Sequence, residues 1–66
     1  MNITLNGQEK SVEPGTKIGS LADSVVSDRS RIAVEQNRVI VPRDDYDSVD
    51  VADGDVIEIV TLVGGG

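Results

Sequence analysis

Cysteine, histidine, phenylalanine and tryptophan are all missing from this chain, and tyrosine occurs once, at Tyr46. Each absence excludes something. Without cysteine there is no disulfide, no thiolate metal ligand and no thiol nucleophile. Without histidine there is no imidazole base and no typical zinc site. Stability has to come from a small core of Val, Ile and Leu. At 66 residues the chain is one domain near the lower limit for folding alone. A domain of this size buries only about 60% of the surface its unfolded form exposes. Little room remains for a substrate pocket, so intrinsic catalysis is not expected. If such a chain enters a reaction, it is expected to enter as substrate or carrier. Basic residues are also scarce: six Lys and Arg stand against twelve Asp and Glu, for a net charge of −6. Nucleic acid and anionic membrane surfaces both require a basic patch and are not expected as partners. Partners with basic docking surfaces are. No apolar run approaches the ~20 residues of a membrane span. Met1-Asn2-Ile3-Thr4-Leu5 has neither the basic nor the apolar region of a secretory signal. The expected location is the cytoplasm.

What is present is a sequence of short elements. Ile3-Thr4-Leu5 alternates as a strand, and Asn6-Gly7 is a two-residue hairpin signal because both positions accept positive φ. Gln8 to Glu13 forms the return strand, closed by Pro14-Gly15. Thr16 is the expected N-cap of a helix. Ile18, Leu21, Ala22 and Val25 fall at i, i+3, i+4 and i+7, which puts them on one face. Gly19 and Ser20 are weak helix formers, so this helix depends on packing. It is expected to end near Ser27-Asp28. Ile32 to Glu35 and Val39 to Val41 read as two strands around a turn at Gln36-Asn37, with Pro42 stopping the second or confining it to an edge. An acidic connection with room for one helical turn runs over residues 43–52. Asp53-Gly54-Asp55 turns into a last strand from Val56. The order predicts an α+β roll of the β-grasp (ubiquitin-like) kind, with a mixed four- to five-stranded sheet and one main helix across one face. Its expected core is Ile3, Leu5, Ile18, Leu21, Val25, Ile57 and Ile59.

The last strand leads into Gly64-Gly65-Gly66. Glycine has no Cβ, so such a tail can enter a channel too narrow for a side chain, and the carboxylate at its end is open to attack from either face. Residues 63–66 are expected to form a flexible tail with Gly66 as the reacting residue and Gly64 and Gly65 as its tether. Chain ends also fray without function, so the tail alone leaves both alternatives open. Ile57 and Ile59 share the buried side of the strand. Val60 and Leu62 share the side of Glu58 and are expected on the open face. With Val63 they form a candidate partner-binding patch, although single surface aliphatics are common.

Asp44, Asp45, Asp47, Asp50, Asp53 and Asp55 invite a calcium reading, but no Asp-x-Asp-x-Asp-Gly frame ending in Glu is present, and a solvated acidic loop explains the run. No metal is expected. Tyr46 is expected to pack over the core. Arg43 either contacts a partner or pairs with its acidic neighbours.

Several segments together resemble a known family. They are Val12-Glu13-Pro14-Gly15-Thr16-Lys17-Ile18, Ile32-Ala33-Val34-Glu35-Gln36-Asn37, Val39-Ile40-Val41-Pro42-Arg43, Asp53-Gly54-Asp55-Val56-Ile57-Glu58-Ile59-Val60 and Val63-Gly64-Gly65-Gly66. Spread over essentially the whole chain, they are similar to the ThiS family of sulfur carriers in thiamine biosynthesis. Val41-Pro42-Arg43 with an aromatic at Tyr46 is the most discriminating part. Tyr46 stands where the family often has Trp, and Gln36-Asn37-Arg38 lacks the commoner Asn-Gly turn. The resemblance implies that a ThiF-like adenylating enzyme activates Gly66 with ATP. Sulfur from a persulfide donor protein then converts the carboxylate to a thiocarboxylate, and a thiazole synthase consumes it. It implies a free monomer with no bound cofactor, ATP being used by the partner. Two alternatives share the activation chemistry: sulfur delivery to molybdopterin, and a protein modifier forming isopeptide bonds through Gly66.

Overall fold

Two asparagine-containing turns organise this sheet. A computed structural model of the chain describes residues 1–62. Strands β1 (Asn2–Leu5) and β2 (Gln8–Ser11) form an antiparallel hairpin over the two-residue loop Asn6-Gly7. Strands β3 (Ile32–Gln36) and β4 (Val39–Val41) form a second hairpin over Asn37-Arg38. Asn6 and Gly7 have φ of 50° and 82°, and Asn37 and Arg38 have 53° and 69°. Both loops therefore hold two successive left-handed residues, as tight hairpins require. The expected turn at Gln36-Asn37 is displaced by one residue: Gln36 still belongs to β3 and pairs with Val39.

The last strand, β5 (Val56–Thr61), inserts between the hairpins, giving the order β2-β1-β5-β3-β4. It runs parallel to β1 and antiparallel to β3. The turn asparagines clamp it from both sides. Asn6 Oδ1 accepts the Ile59 N–H at 2.7 Å, and Asn37 Oδ1 accepts the Val56 N–H at 2.9 Å. Pro42 ends β4, which lies at the sheet edge, where the missing ladder donor costs nothing.

Helix α1 (Ile18–Val25) covers one face of the sheet. Its start departs from expectation. Thr16 does not cap it: the Thr16 hydroxyl donates to the Glu13 carbonyl at 2.6 Å, and the N-cap position is Lys17. The free N–H groups of the first turn go to backbone carbonyls of the following loop instead. Ile18 N–H donates to Val49 O at 3.0 Å and Gly19 N–H to Tyr46 O at 2.7 Å. A loop that supplies carbonyls makes a capping side chain redundant. Gly19 has a packing role. A Cβ there would lie 2.6 Å from Arg29 Nη2 and would also collide with the Asp47 carboxylate. Those two side chains are an ion pair that crosses the helix at this point.

The helix is also shorter than expected. It ends at Val25, and Val26 is extended at φ −136° and ψ 157°. Val25 is consequently 44% exposed and is not part of the core, while Val26 packs against it. Leu5 is only partly buried. The remaining expected core residues, Ile3, Ile18, Leu21, Ile57 and Ile59, are buried together with Ala22, Ile32, Val34, Val41, Tyr46 and Val51. A 3₁₀ turn over Arg43–Asp45 precedes Tyr46, which is 2% exposed and sits in the core as expected. A second one, Arg29–Arg31, was not foreshadowed by any periodicity. Asp28 makes it by accepting the Ser30 N–H at 2.9 Å.

Asp55 departs from the solvated-loop expectation. Asp44, Asp45, Asp47, Asp50 and Asp53 are exposed, but Asp55 is 7% exposed. Its carboxylate accepts from Ala52 N–H at 2.8 Å, Gln36 Nε2 at 2.8 Å and Asn37 Nδ2 at 2.9 Å. Burial pushes this carboxyl up, but the Ala52 N–H and the Asn37 and Gln36 amides outweigh it and hold it below the usual carboxylate range. A carboxyl with a depressed folded pKa stabilises the fold above its unfolded pKa of about 3.9, and this contribution is lost as pH falls through the folded value. Asp55→Ala should therefore cost about 1–3 kcal/mol at neutral pH, because the Ala52 N–H and the Gln36 and Asn37 amides all lose their acceptor. Urea midpoints measured from neutral pH down into acid should show a shallower acid limb for the variant. Exposed Asp23 and Asp28, also lowered, keep some slope in both proteins. Parallel acid limbs in the two proteins would contradict the role given to Asp55.

Candidate functional site: the open sheet face and the exit of the last strand

Alternation along β5 divides the molecule into a packed side and a bare side. Ile57 and Ile59 are buried under α1 at 0% and 6% exposure, while Val56, Glu58 and Val60 face away from it. Val60, expected on the open face, is there and is 50% exposed. Register extends this surface across the sheet: Val60 lies opposite Ala33, and Glu58 opposite Glu35, which in turn lies opposite Ile40. Ile40 is 65% exposed. It was read from the sequence only as part of a strand, since its exposure follows from the β3–β4 register and not from local pattern.

β5 is held firmly to its end. Thr61 still pairs with Ile32, and Leu62 N–H donates to the Arg31 carbonyl at 2.6 Å. Leu62 lies just beyond the strand, about half-exposed, and lines a hollow of about 200 Å³ with Ala33, Ile40, Pro42 and Arg43. It therefore sits at the end of the sheet, beside the open face, and is the last of the described residues. Arg43 stands at the rim of this hollow. It makes no ion pair with its acidic neighbours among the described residues, and its guanidinium donates to Ser30 O at a long 3.4 Å. Val63, Gly64, Gly65 and Gly66 lie outside the described residues.

The acidic run is spread apart by the fold. Asp47 pairs with Arg29, Asp50 with Lys17 at 2.5 Å, and Asp53 accepts the Asn2 N–H at 2.8 Å. Among the described residues no group of three or more carboxylates is arranged to hold a metal ion.

A strand fixed up to Leu62, a bare sheet face beside it and four residues ending in three glycines fit a known family. The ThiS family model matches residues 3–66. The chain belongs to the ThiS family. It is 36% identical to the sulfur carrier protein ThiS of Bacillus subtilis, over 97% of this chain and 98% of that protein. The crystal structure of the thiamine biosynthesis protein ThiS from Geobacter metallireducens superimposes with a TM-score of 0.79 at 31% identity, covering all of both chains. The five-stranded mixed sheet with one helix is thus the β-grasp fold of ThiS proteins. The chain is also 38% identical, over its whole length, to part of a thiazole synthase from Paramagnetospirillum magneticum. It spans only 20% of that relative and of a second thiazole synthase, from Magnetococcus marinus.

Proposed function

We propose that this ThiS-family chain is the sulfur carrier of thiamine biosynthesis, a co-substrate whose Gly66 carboxylate takes up sulfur and delivers it to the forming thiazole ring. The observation that carries this is the position of β5. The central strand is hydrogen-bonded up to Leu62 beside an exposed aliphatic surface, which supports a reading in which the glycine segment that follows is offered to a partner docked on that surface. A carboxylate at Gly66 is ionised and unreactive at neutral pH, its pKa lying near roughly 3.3–3.7. A ThiF-like adenylating enzyme would let it attack the α-phosphorus of ATP, releasing pyrophosphate and leaving an acyl-adenylate. The terminal sulfur of a protein persulfide would attack the acyl carbon and expel AMP. A thiol would then reduce the resulting acyl disulfide to the thiocarboxylate. On this reading the partners supply the catalytic groups, and this chain supplies the carboxylate. The thiocarboxylate sulfur is the nucleophile that a thiazole synthase would consume.

Val60, Leu62 and Val63 would contact these partners, with Gly64 and Gly65 as the tether. Val60→Asp should leave the fold intact, because Val60 is half-exposed on the open face. It should weaken binding to the adenylating enzyme or the thiazole synthase, because a charge buried in an apolar contact is costly. Retained affinity, or loss of folding, would count against the patch. The pathway is tested by supplying the sulfur-loaded chain to the thiazole synthase and assaying thiazole product. Product formation supports the thiamine role. Its absence, with sulfur accepted instead by a molybdopterin synthase or the chain found in isopeptide linkage to lysines, supports the alternatives.

A further inference from the structure

The open face sets two like charges against each other. Glu35 of β3 and Glu58 of β5 are directly opposite each other in the register. Like charges at such positions have Cβ atoms about 4.5–5.5 Å apart and destabilise the sheet. Neither carboxylate has an ion pair or a side-chain hydrogen bond among the described residues. Both line a hollow of about 540 Å³ whose other walls are Val56, Val60 and Arg38. Val56 and Val60 are 44% and 50% exposed. The hollow thus mixes carboxylates with aliphatic side chains, Glu58 lying between Val56 and Val60 on the same face of β5. A lysine or arginine side chain has the complementary form, with an apolar stem and a cationic head.

We propose that the Glu35–Glu58 pair is a specificity element for thiazole synthase docking: it receives a lysine or arginine of that enzyme, whose stem lies on Val60. The choice of the synthase as occupant rests on the carrier role proposed above and on two relatives in which a region like this chain belongs to a thiazole synthase polypeptide. The sign of the face supports a cationic partner. Glu35 and Glu58 outnumber Arg38 in the hollow, and the chain carries a net charge of −6. The cation would relieve the cross-strand repulsion on binding, so the pair trades stability of the free domain for partner choice.

The trade gives the test two readouts that move in opposite directions. Glu35→Gln, Glu58→Gln and the double variant should each melt at a higher temperature than the wild-type chain, since repulsion is removed and shape is kept. By isothermal titration against the thiazole synthase of the same organism, the double variant should bind about tenfold to a hundredfold more weakly. Its affinity should also depend less on ionic strength than that of the wild type. Unchanged affinity would overturn the proposal. So would lowered melting temperatures, which would mark the carboxylates as structural, or a loss confined to the adenylating enzyme. The carrier role fails separately: a wild-type chain that never gains sulfur, yet binds the synthase in this charge-dependent way, leaves the role of the pair standing.

Discussion

Deleting Gly66 should abolish sulfur uptake while leaving the fold untouched. The deletion moves the terminal carboxylate back by one residue, up to about 3.6 Å along an extended chain. Activation requires reacting atoms within about 3–3.5 Å of each other, so a shift of that size removes the near-attack geometry. The lost length cannot be made up by drawing chain out of the strand without breaking its hydrogen bonds, because Leu62 N–H donates to the Arg31 carbonyl and Thr61 pairs with Ile32. The carboxylate of the shortened chain has the same chemistry as before, so the loss would be positional. Gly65→Val should fail by another route, since a β-branched side chain stiffens the backbone and obstructs a narrow channel. The core found among the described residues is complete without these positions, so both variants should melt like the parent. A chain lacking Gly66 that gains sulfur as fast as the full-length one would remove Gly66 from the role proposed for it.

Ile57→Ala should have the largest effect on stability. Ile57 is fully buried in the central strand, under α1 and among Ile3, Ile18, Leu21 and Ile59. Emptying such a site costs about 2–5 kcal/mol. A domain of this length has only roughly 3–10 kcal/mol in total. At about 4–8 °C per kcal/mol for small domains, the melting temperature should fall by at least about 8 °C. Val25→Ala is the contrast. Val25 shares the helical stripe in the sequence but is 44% exposed, so its loss should be under about 1 kcal/mol. Equal effects at the two positions, measured by thermal denaturation, would refute this division of core and surface.

The β5 pattern was legible from alternation alone, because a strand with one packed face must alternate. Ile57 inward and Val60 outward follow directly. The Asn6-Gly7 turn was legible for the same local reason. The features that the sequence hid are those decided by distant partners. Nothing near Thr16 says that the carbonyls of Tyr46 and Val49 will satisfy the helix start. Asp55 looks like the other aspartates until the Asn37 turn folds against it. Val25 and Val26 are adjacent, chemically identical and differently placed, because the helix stops between them. At the site, Val60 was found by pattern, but the facing of Glu35 and Glu58 needed the β3–β5 register, and the exposure of Ile40 needed that of β3–β4. The tail proposed to react was legible only as composition, as three glycines after an apolar strand, and its reactivity is the part that chemistry must test.

The central claim is that Gly66 carries sulfur. Intact mass of the native chain, before and after incubation with the adenylating enzyme of the same organism, ATP, a persulfide donor and a thiol, tests it most directly. The expected result is a chain ending at Gly66 that exchanges one oxygen for one sulfur only when ATP is present, with the change confined by fragmentation to the C-terminal glycine. A mass that stays constant with all components present, or a sulfur gain located on any other residue, would contradict it.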